Sequence, residues 1–200
     1  MIKKIKTSLY SRVRSFIKAA LFILRSGTDV VLRDEGTGLY TRNVFKEMTL
    51  KTLESAKRNG LSTSLILADM DGLKKINDTK GHIEGDKMLR LAAEIFENSM
   101  RDSDIIGRYG GDEFIALLPG TNSAGAQVVV EKLKKELAKK SLSWSFGAAE
   151  AKLPEKTAFF GFSREKLEKT WRKFLEDLIK KADEGVYVEK NKKPKSLRRA

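Results

Sequence analysis

Ser64-Leu65-Ile66-Leu67-Ala68 is a short, largely apolar run that stops abruptly at Asp69-Met70-Asp71. A run this brief, with no alternation of polar and apolar positions, is the pattern of a strand buried on both faces rather than of a surface strand or an amphipathic helix. Such a strand needs neighbours on each side and layers above and below it. It also delivers two carboxylates at its carboxyl end, where the burial ceases.

The flanking sequence supplies those layers. Asp34 to Asn43 reads as a loop, and Val44 to Asn59 as a helix. A polar stretch follows Asp71, and Asp86 to Met100 then carries a helical apolar face in Met88, Leu89, Ala92, Ala93, Ile95 and Phe96. Asp104 to Tyr109 and Phe114 to Leu118 read as two strands around Gly110-Gly111-Asp112-Glu113, where the double glycine permits a tight hairpin with two acids at its tip. Ala124 to Lys140 reads as a helix, Leu142 to Ala149 as a strand, and Ser163 to Asp183 as an amphipathic helix through Leu167, Trp171, Phe174, Leu178 and Ala182. Strands alternating with helices predict an α/β sandwich, with no internal repeat and no low-complexity segment.

Two hundred residues with 40% apolar content suffice for one domain and modest tails. Cysteine is absent, which excludes disulfides, thiolate metal sites and cysteine nucleophiles and is compatible with a reducing cytoplasm. The formal charge of +13 sits in the ends: residues 1–33 carry eight basic side chains against one Asp, and residues 188–200 carry six against one Glu. The body between them is nearly neutral. A nucleic-acid-binding domain spreads its basic residues over a folded face, so no nucleic-acid partner is expected.

Ile2, Ile5, Leu9, Val13, Phe16, Ala20 and Leu24 recur at spacings of three and four, which predicts a basic amphipathic helix within residues 1–33. Three roles are open to it: pairing with its copy, peripheral contact with a membrane through residues 1–25, or covering the domain. Val13 to Leu24 contains Arg14 and Lys18 and falls short of the roughly 20 apolar residues of a membrane span. Neither a transmembrane anchor nor a cleaved leader is expected, and the expected location is the cytoplasm. The domain division is 1–33 for helix and linker, 34–193 for the folded domain and 194–200 for a basic tail.

Asp69, Asp71, Asp112 and Glu113 are four acids that adjacent strands can bring together. Carboxylates concentrated in a dry cleft repel one another and call for cations. Magnesium fits such a site, because it takes oxygen ligands and is commonly completed by substrate phosphates; that points to nucleotide chemistry. The residues alone also allow Asp71 and Asp112 to be ordinary turn residues.

Gly110-Gly111-Asp112-Glu113-Phe114, preceded by Arg108-Tyr109, resembles the name motif of the GGDEF family of diguanylate cyclases. Asp69-Met70-Asp71, Lys74, Asn77-Asp78, Gly81-His82 and Gly85-Asp86 are similar to that family's second motif with its spacing unbroken. Weaker similarity runs through Asp34, Thr37-Gly38-Leu39 and Arg42, then Ser145-Phe146-Gly147, then Ala182-Asp183, Tyr187 and Lys190, so that the resemblance covers roughly 34–193. It implies a palm-like fold of the nucleotide-cyclase or ferredoxin-like type, with a central mixed, mainly antiparallel sheet flanked by helices.

The resemblance further implies that Asp69, the Met70 carbonyl and Asp112 bind two magnesium ions, with manganese as the alternative and Glu113 assisting. Asp112, Glu113 and Lys74 would be catalytic. Asn77 and Asp86 would hydrogen-bond guanine, and Gly110, Gly111, His82 and Lys190 would complete substrate binding. A carboxylate accepts from guanine N1–H and its amine, so Asp86 favours GTP over ATP. His82 is equally suited to packing, and Lys74 or Lys190 to solvation. Two GTP molecules would condense into cyclic di-GMP across a homodimer, one held by each subunit.

Arg101 and Asp104, three apart, match the family's product-inhibition site for cyclic di-GMP, the alternative being a helix-end salt bridge. The sequence departs from the family at Gly36, Thr41 and Leu73, lacks the usual glycine and asparagine after Lys190, and leaves little room for a hairpin near residue 140. Leu153 to Phe162 is longer than usual, and its Phe159-Phe160-Gly161-Phe162 cluster is expected to fill that gap or form a partner surface. The competing reading is a catalytically silent domain that acts as a receptor for GTP or cyclic di-GMP, against which the intact Asp112 and Glu113 argue.

Overall fold

The computed structural model of the chain describes residues 32–153 and 162–194. The expected amphipathic amino-terminal helix, the Phe159-Phe160-Gly161 part of the aromatic cluster and the basic tail from residue 195 lie outside the described residues. The buried run is longer than its apolar letters suggest: β2 spans Thr63–Met70, and all eight residues are buried. It lies between β4 (Glu113–Pro119) and β5 (Trp144–Glu150), antiparallel to both. Beyond β4 come β3 (Ile105–Arg108) and the two-residue β1 (Tyr40–Thr41), which pairs in parallel with β3. The order β1-β3-β4-β2-β5 makes a mixed, mainly antiparallel sheet, as the sequence predicts.

Alternation along β2 sends Ile66, Ala68 and Met70 to one face and Leu65 and Leu67 to the other. The first face packs against α3 (His82–Ser99) and α4 (Ser123–Ala138), and the second against α1 (Arg42–Asn59) and α5 (Arg164–Lys192). Phe114 closes the Gly-Gly-Asp-Glu turn by entering the first core. Its ring stands edge-on to Phe96 at 5.3 Å and tilted against Trp144 at 4.8 Å. That aromatic cluster anchors the base of the hairpin.

Three elements differ from the sequence expectation. The polar stretch after Asp71 is a helix, α2 (Leu73–Lys80), which has no fully buried residue and meets the core only through Leu73 and Ile76. The next helix begins at His82 rather than Asp86, which places both residues on its first turns. The last helix continues to Lys192 instead of ending near Asp183, because Val186 and Lys190 extend its buried face and a lysine does not register as apolar. The double glycine does not act through left-handed backbone, since neither Gly110 nor Gly111 has positive φ. A Cβ on Gly110 would overlap Glu113 Oε2, the movable end of that side chain.

β5 borders the sheet among the described residues, and the chain reaches it from α4 by a short turn. Side chains of α5 cover part of that border. The Phe146 N–H donates to Glu189 Oε2 at 3.1 Å, and Lys193 Nζ donates to the Trp144 carbonyl at 2.7 Å. The helix comes this close because Gly147 faces Gly185. A Cβ on Gly147 would overlap the Ala182 carbonyl and lie 2.7 Å from the Val186 nitrogen, so backbone rests on backbone.

The segment that leads into α1 is tied to the hairpin by one carboxylate. Asp34 Oδ1 accepts from the Thr37 hydroxyl at 2.7 Å, the Thr37 N–H at 2.9 Å and Arg108 Nη1 at 2.9 Å, and Arg108 Nη2 donates to the Gly111 carbonyl at 2.7 Å. Burial alone would raise the Asp34 carboxyl, but the Thr37 hydroxyl, the Arg108 guanidinium and the Thr37 amide together hold it below its ordinary value of 3.8.

Two outcomes are expected. Gly147→Ala forces α5 away from β5 and costs about 3 kcal/mol, the upper end for overpacking against backbone that cannot yield, measured by urea unfolding. For Asp34 the folded pKa lies below the unfolded one, so its stabilisation is full above pH ~4 and disappears as pH falls through the folded value. The gap in urea midpoint between wild type and Asp34→Asn is therefore wide at neutral pH and closes in the acid range below the ordinary carboxylate value. A gap that stays constant with pH would remove Asp34 as its source.

Candidate active site at the carboxyl end of β2

The ladder between β2 and β4 runs to the tip of the acids. Asp69 lies opposite Glu113, and the Met70 N–H donates to the Asp112 carbonyl at 2.9 Å. Opposed residues of an antiparallel pair share a face, so register alone places Asp69 and Glu113 side by side and Asp112 beside Met70. The Met70 side chain is buried in the core, which leaves its backbone as the part that can serve a ligand.

A cavity of about 510 Å³ opens beside this end of the sheet, lined by Leu73, Lys74, Asn77, Asp78, His82, Gly85, Asp86, Leu89, Arg108, Gly111 and Asp112. Two consecutive helices make it. Lys74 and Asn77 lie on α2, three apart, while His82 and Asp86 lie on the first turns of α3, four apart, so each pair shares one side of its helix. The two helices close against each other at Gly85, where a Cβ would overlap Asn77 Oδ1. That oxygen is buried and has no hydrogen-bond partner among the described residues. A buried acceptor left unsatisfied is costly, and it suits a ligand that brings a donor.

Six of the residues predicted from sequence therefore meet at one cavity: Lys74, Asn77, His82, Asp86, Gly111 and Asp112. Gly110 and Glu113 sit in the adjoining turn, held by bonds from the Tyr109 and Gly110 N–H groups to the Glu113 carbonyl. Asp69 and Lys190 lie together on the α5 side of the sheet, with Lys190 Nζ 2.5 Å from Asp69 Oδ1 and side-chain exposures of only 11% and 4%. Arg108 lines the cavity as well as bracing Gly111. Its place next to the Gly-Gly turn was legible beforehand, but its bracing role was not.

Arg101 and Asp104 stand apart from the cavity, in the turn between α3 and β3. Asp104 Oδ2 accepts from the Arg101 N–H at 2.9 Å, and burial, the largest influence, pushes its carboxyl above the ordinary range despite that bond. Both features occupy the carboxylate within its own turn, and the Arg101 side chain is exposed. Asp71 also leaves the acidic group expected of it: its oxygens accept from the Ser143 and Ser145 hydroxyls at 2.7 Å each and from Lys193 at 2.6 Å. It is a buried structural acid.

Among the described residues no three acids or histidines are assembled as a closed metal cage. The donors that remain at the end of β2 are hard oxygens: the carboxylates of Asp69, Asp112 and Glu113 and the Met70 carbonyl. Lys190 already brings a positive charge onto Asp69, which shows that this carboxylate attracts a cation. Such an open set fits magnesium, which is held by one or two carboxylates and completed by phosphates and water. No described helix is long and apolar enough to cross a membrane.

Comparison with known proteins agrees with this geometry. Residues 31–196 match the family described as "Diguanylate cyclase, GGDEF domain". The chain is 34% identical over 162 residues to the probable diguanylate cyclase DgcJ of Escherichia coli, covering 81% of this chain and 30% of DgcJ. It is 28% identical over 196 residues to the diguanylate cyclase DosC of the same species, covering 95% of this chain and 41% of DosC. It thus spans less than half the length of these relatives. The GGDEF domain of DgcB from Caulobacter crescentus, solved in complex with c-di-GMP, superposes with a TM-score of 0.68 at 23% identity over 82% of this chain and 93% of that domain, a likeness of fold. With five-sixths of its length inside the family match and the sheet, hairpin and acids in their expected register, the chain belongs to the GGDEF family of diguanylate cyclase domains.

Proposed function

We propose that the chain is an active diguanylate cyclase that joins two GTP molecules into cyclic di-GMP. The observation that carries this reading is the intact acid set at the end of β2 and β4 opening directly onto a cavity with Asn77 and Asp86 on its wall. A receptor without chemistry has no need of carboxylates beside the phosphate end of its ligand.

Each residue's part follows from its place. Asp86 accepts from guanine N1–H and its exocyclic amine, and the orphaned Asn77 oxygen takes a donor from the same base. His82, one turn before Asp86, lines the mouth of the cavity. The ribose and phosphates then extend toward Gly110 and Gly111, where the chain carries no side chain to obstruct them. Lys74 from α2 and Lys190 from α5 approach the phosphates from opposite sides and neutralise charge that develops on transfer. Magnesium held by Asp69, the Met70 carbonyl and Asp112, with Glu113 assisting, would supply Lewis-acid activation of the 3′-hydroxyl and of the α-phosphate. In each half-reaction the 3′-oxygen of one GTP bonds to the α-phosphorus of the other, its proton is lost to solvent or to Glu113, and pyrophosphate departs.

A cavity of about 510 Å³ suits one nucleotide. The product needs two in head-to-tail register, so two copies of the chain must face each other through a two-fold axis.

Incubation of the purified chain with GTP and magnesium, with chromatographic separation of nucleotides, tests the reading. Cyclic di-GMP is expected from the wild type, with a loss of at least about 100-fold in Asp112→Ala at unchanged melting temperature and a complete loss on chelating the metal. No product at protein concentrations that sustain a dimer would favour the receptor reading instead. Asp86→Ala is expected to raise the KM for GTP about tenfold or more while leaving metal dependence unchanged, because it removes the base contact and none of the phosphate contacts.

A further inference from the structure

Lys190 on the last turn of α5 and Lys193, the residue that caps it, meet two aspartates at the end of β2. Lys190 pairs with Asp69, and Lys193 pairs with Asp71 at 2.6 Å. The match follows from spacing. Asp71 follows Asp69 by two, just past the end of β2, and Lys193 follows Lys190 by three, with its N–H on the Lys190 carbonyl at 3.1 Å. The second rung is the firmer one. The Asp71 side chain is fully buried, its oxygens are taken by Ser143, Ser145 and Lys193, and Lys193 also donates to the Trp144 carbonyl at 2.7 Å and lies 3.8 Å from Glu189.

We propose that Lys193 is a positioning residue, which fixes the final turn of α5 so that the Lys190 ammonium stands at Asp69, and which acts on the reaction only through Lys190. The proposal rests on the reading above that this end of β2 handles the phosphates of GTP. A helix end frays by default, because its last carbonyls lack intrahelical partners. Lys190 has its flexible four-carbon stem within that last turn, and an ammonium that wanders gains nothing from the phosphate it is meant to meet. Lys193 removes that freedom with two direct bonds at the β5 border of the sheet, one to the Asp71 side chain and one to the Trp144 backbone. Ion pairing suits the task better than an apolar plug would, since buried charge pairs specify geometry even where they add little net stability.

A double-mutant cycle on the full chain separates positioning from general support. Lys193→Met is expected to lower kcat for cyclic di-GMP formation about tenfold in the wild-type background and by less than about twofold in a Lys190→Met background, with Lys193→Arg restoring most of the rate. Equal losses in both backgrounds would overturn the proposal, because a merely structural role is indifferent to Lys190. If Lys193→Met fails to fold, Lys193→Gln keeps a donor for the Trp144 carbonyl and still removes the charge. A second measurement needs no turnover: amine acylation of the nucleotide-free protein, read by mass spectrometry, with Lys132 as internal reference. Lys190 is expected to label several-fold faster in the variant than in wild type, and an unchanged rate overturns the proposal. A chain that makes no cyclic di-GMP would defeat the cyclase reading alone, since the labelling still decides the part of Lys193.

Discussion

A carboxylate at the end of a strand buried on both faces is costly unless donors or a cation are brought to it. In this protein that requirement organises everything around β2. Asp69 and Asp71 are 3% and 4% exposed, and both are met by ammonium groups from a helix more than a hundred residues further along the chain. The long α5 must therefore lie close along the β5 side of the sheet. The Gly147–Gly185 contact is what permits that approach. The position of the last helix and the charge state of the site are one problem with one solution.

The opposite face of the sheet meets a different demand. There the strands bury an aromatic cluster of Phe96, Phe114, Trp144 and Phe146 beneath the hairpin, so the turn that carries Asp112 is rooted in the best-packed part of the domain. Arg108 braces the same turn from Asp34. Catalytic geometry depends on side chains held to within a fraction of an ångström, and acids on an unsupported loop would lack that support. The cavity itself lies between the exposed α2 and the first turns of α3, with Leu73 and Leu89 at its apolar end.

Much of this was legible in the letters. The run from Ser64 to Met70 announced a buried strand, the paired glycines announced the hairpin, and the resemblance of the Lys74 to Asp86 segment to the family's second motif placed those residues at one site. What stayed hidden did so for physical reasons. α2 touches the core only through Leu73 and Ile76, too short an apolar stripe for periodicity to detect. The end of α5 is buried through Lys190, a residue type that normally signals solvent. Lys193 is one of six basic residues in a charged tail, and only the fold distinguishes it by placing Asp71 within reach. Asp71 itself was grouped with the site acids because a sequence shows that two carboxylates are neighbours and not that their partners differ.

The arrangement of α5 against β5 also bears on how the protein behaves in a crowded solution. A border strand presents backbone donors and acceptors to which any other extended chain can attach. This chain instead spends two side chains, Glu189 on the Phe146 N–H and Lys193 on the Trp144 carbonyl, to occupy that border. Charged groups on an open sheet edge are a known deterrent to strand-to-strand aggregation. By the same physics, the Glu189 and Lys193 contacts disfavour attachment of a further strand at this border of the described sheet.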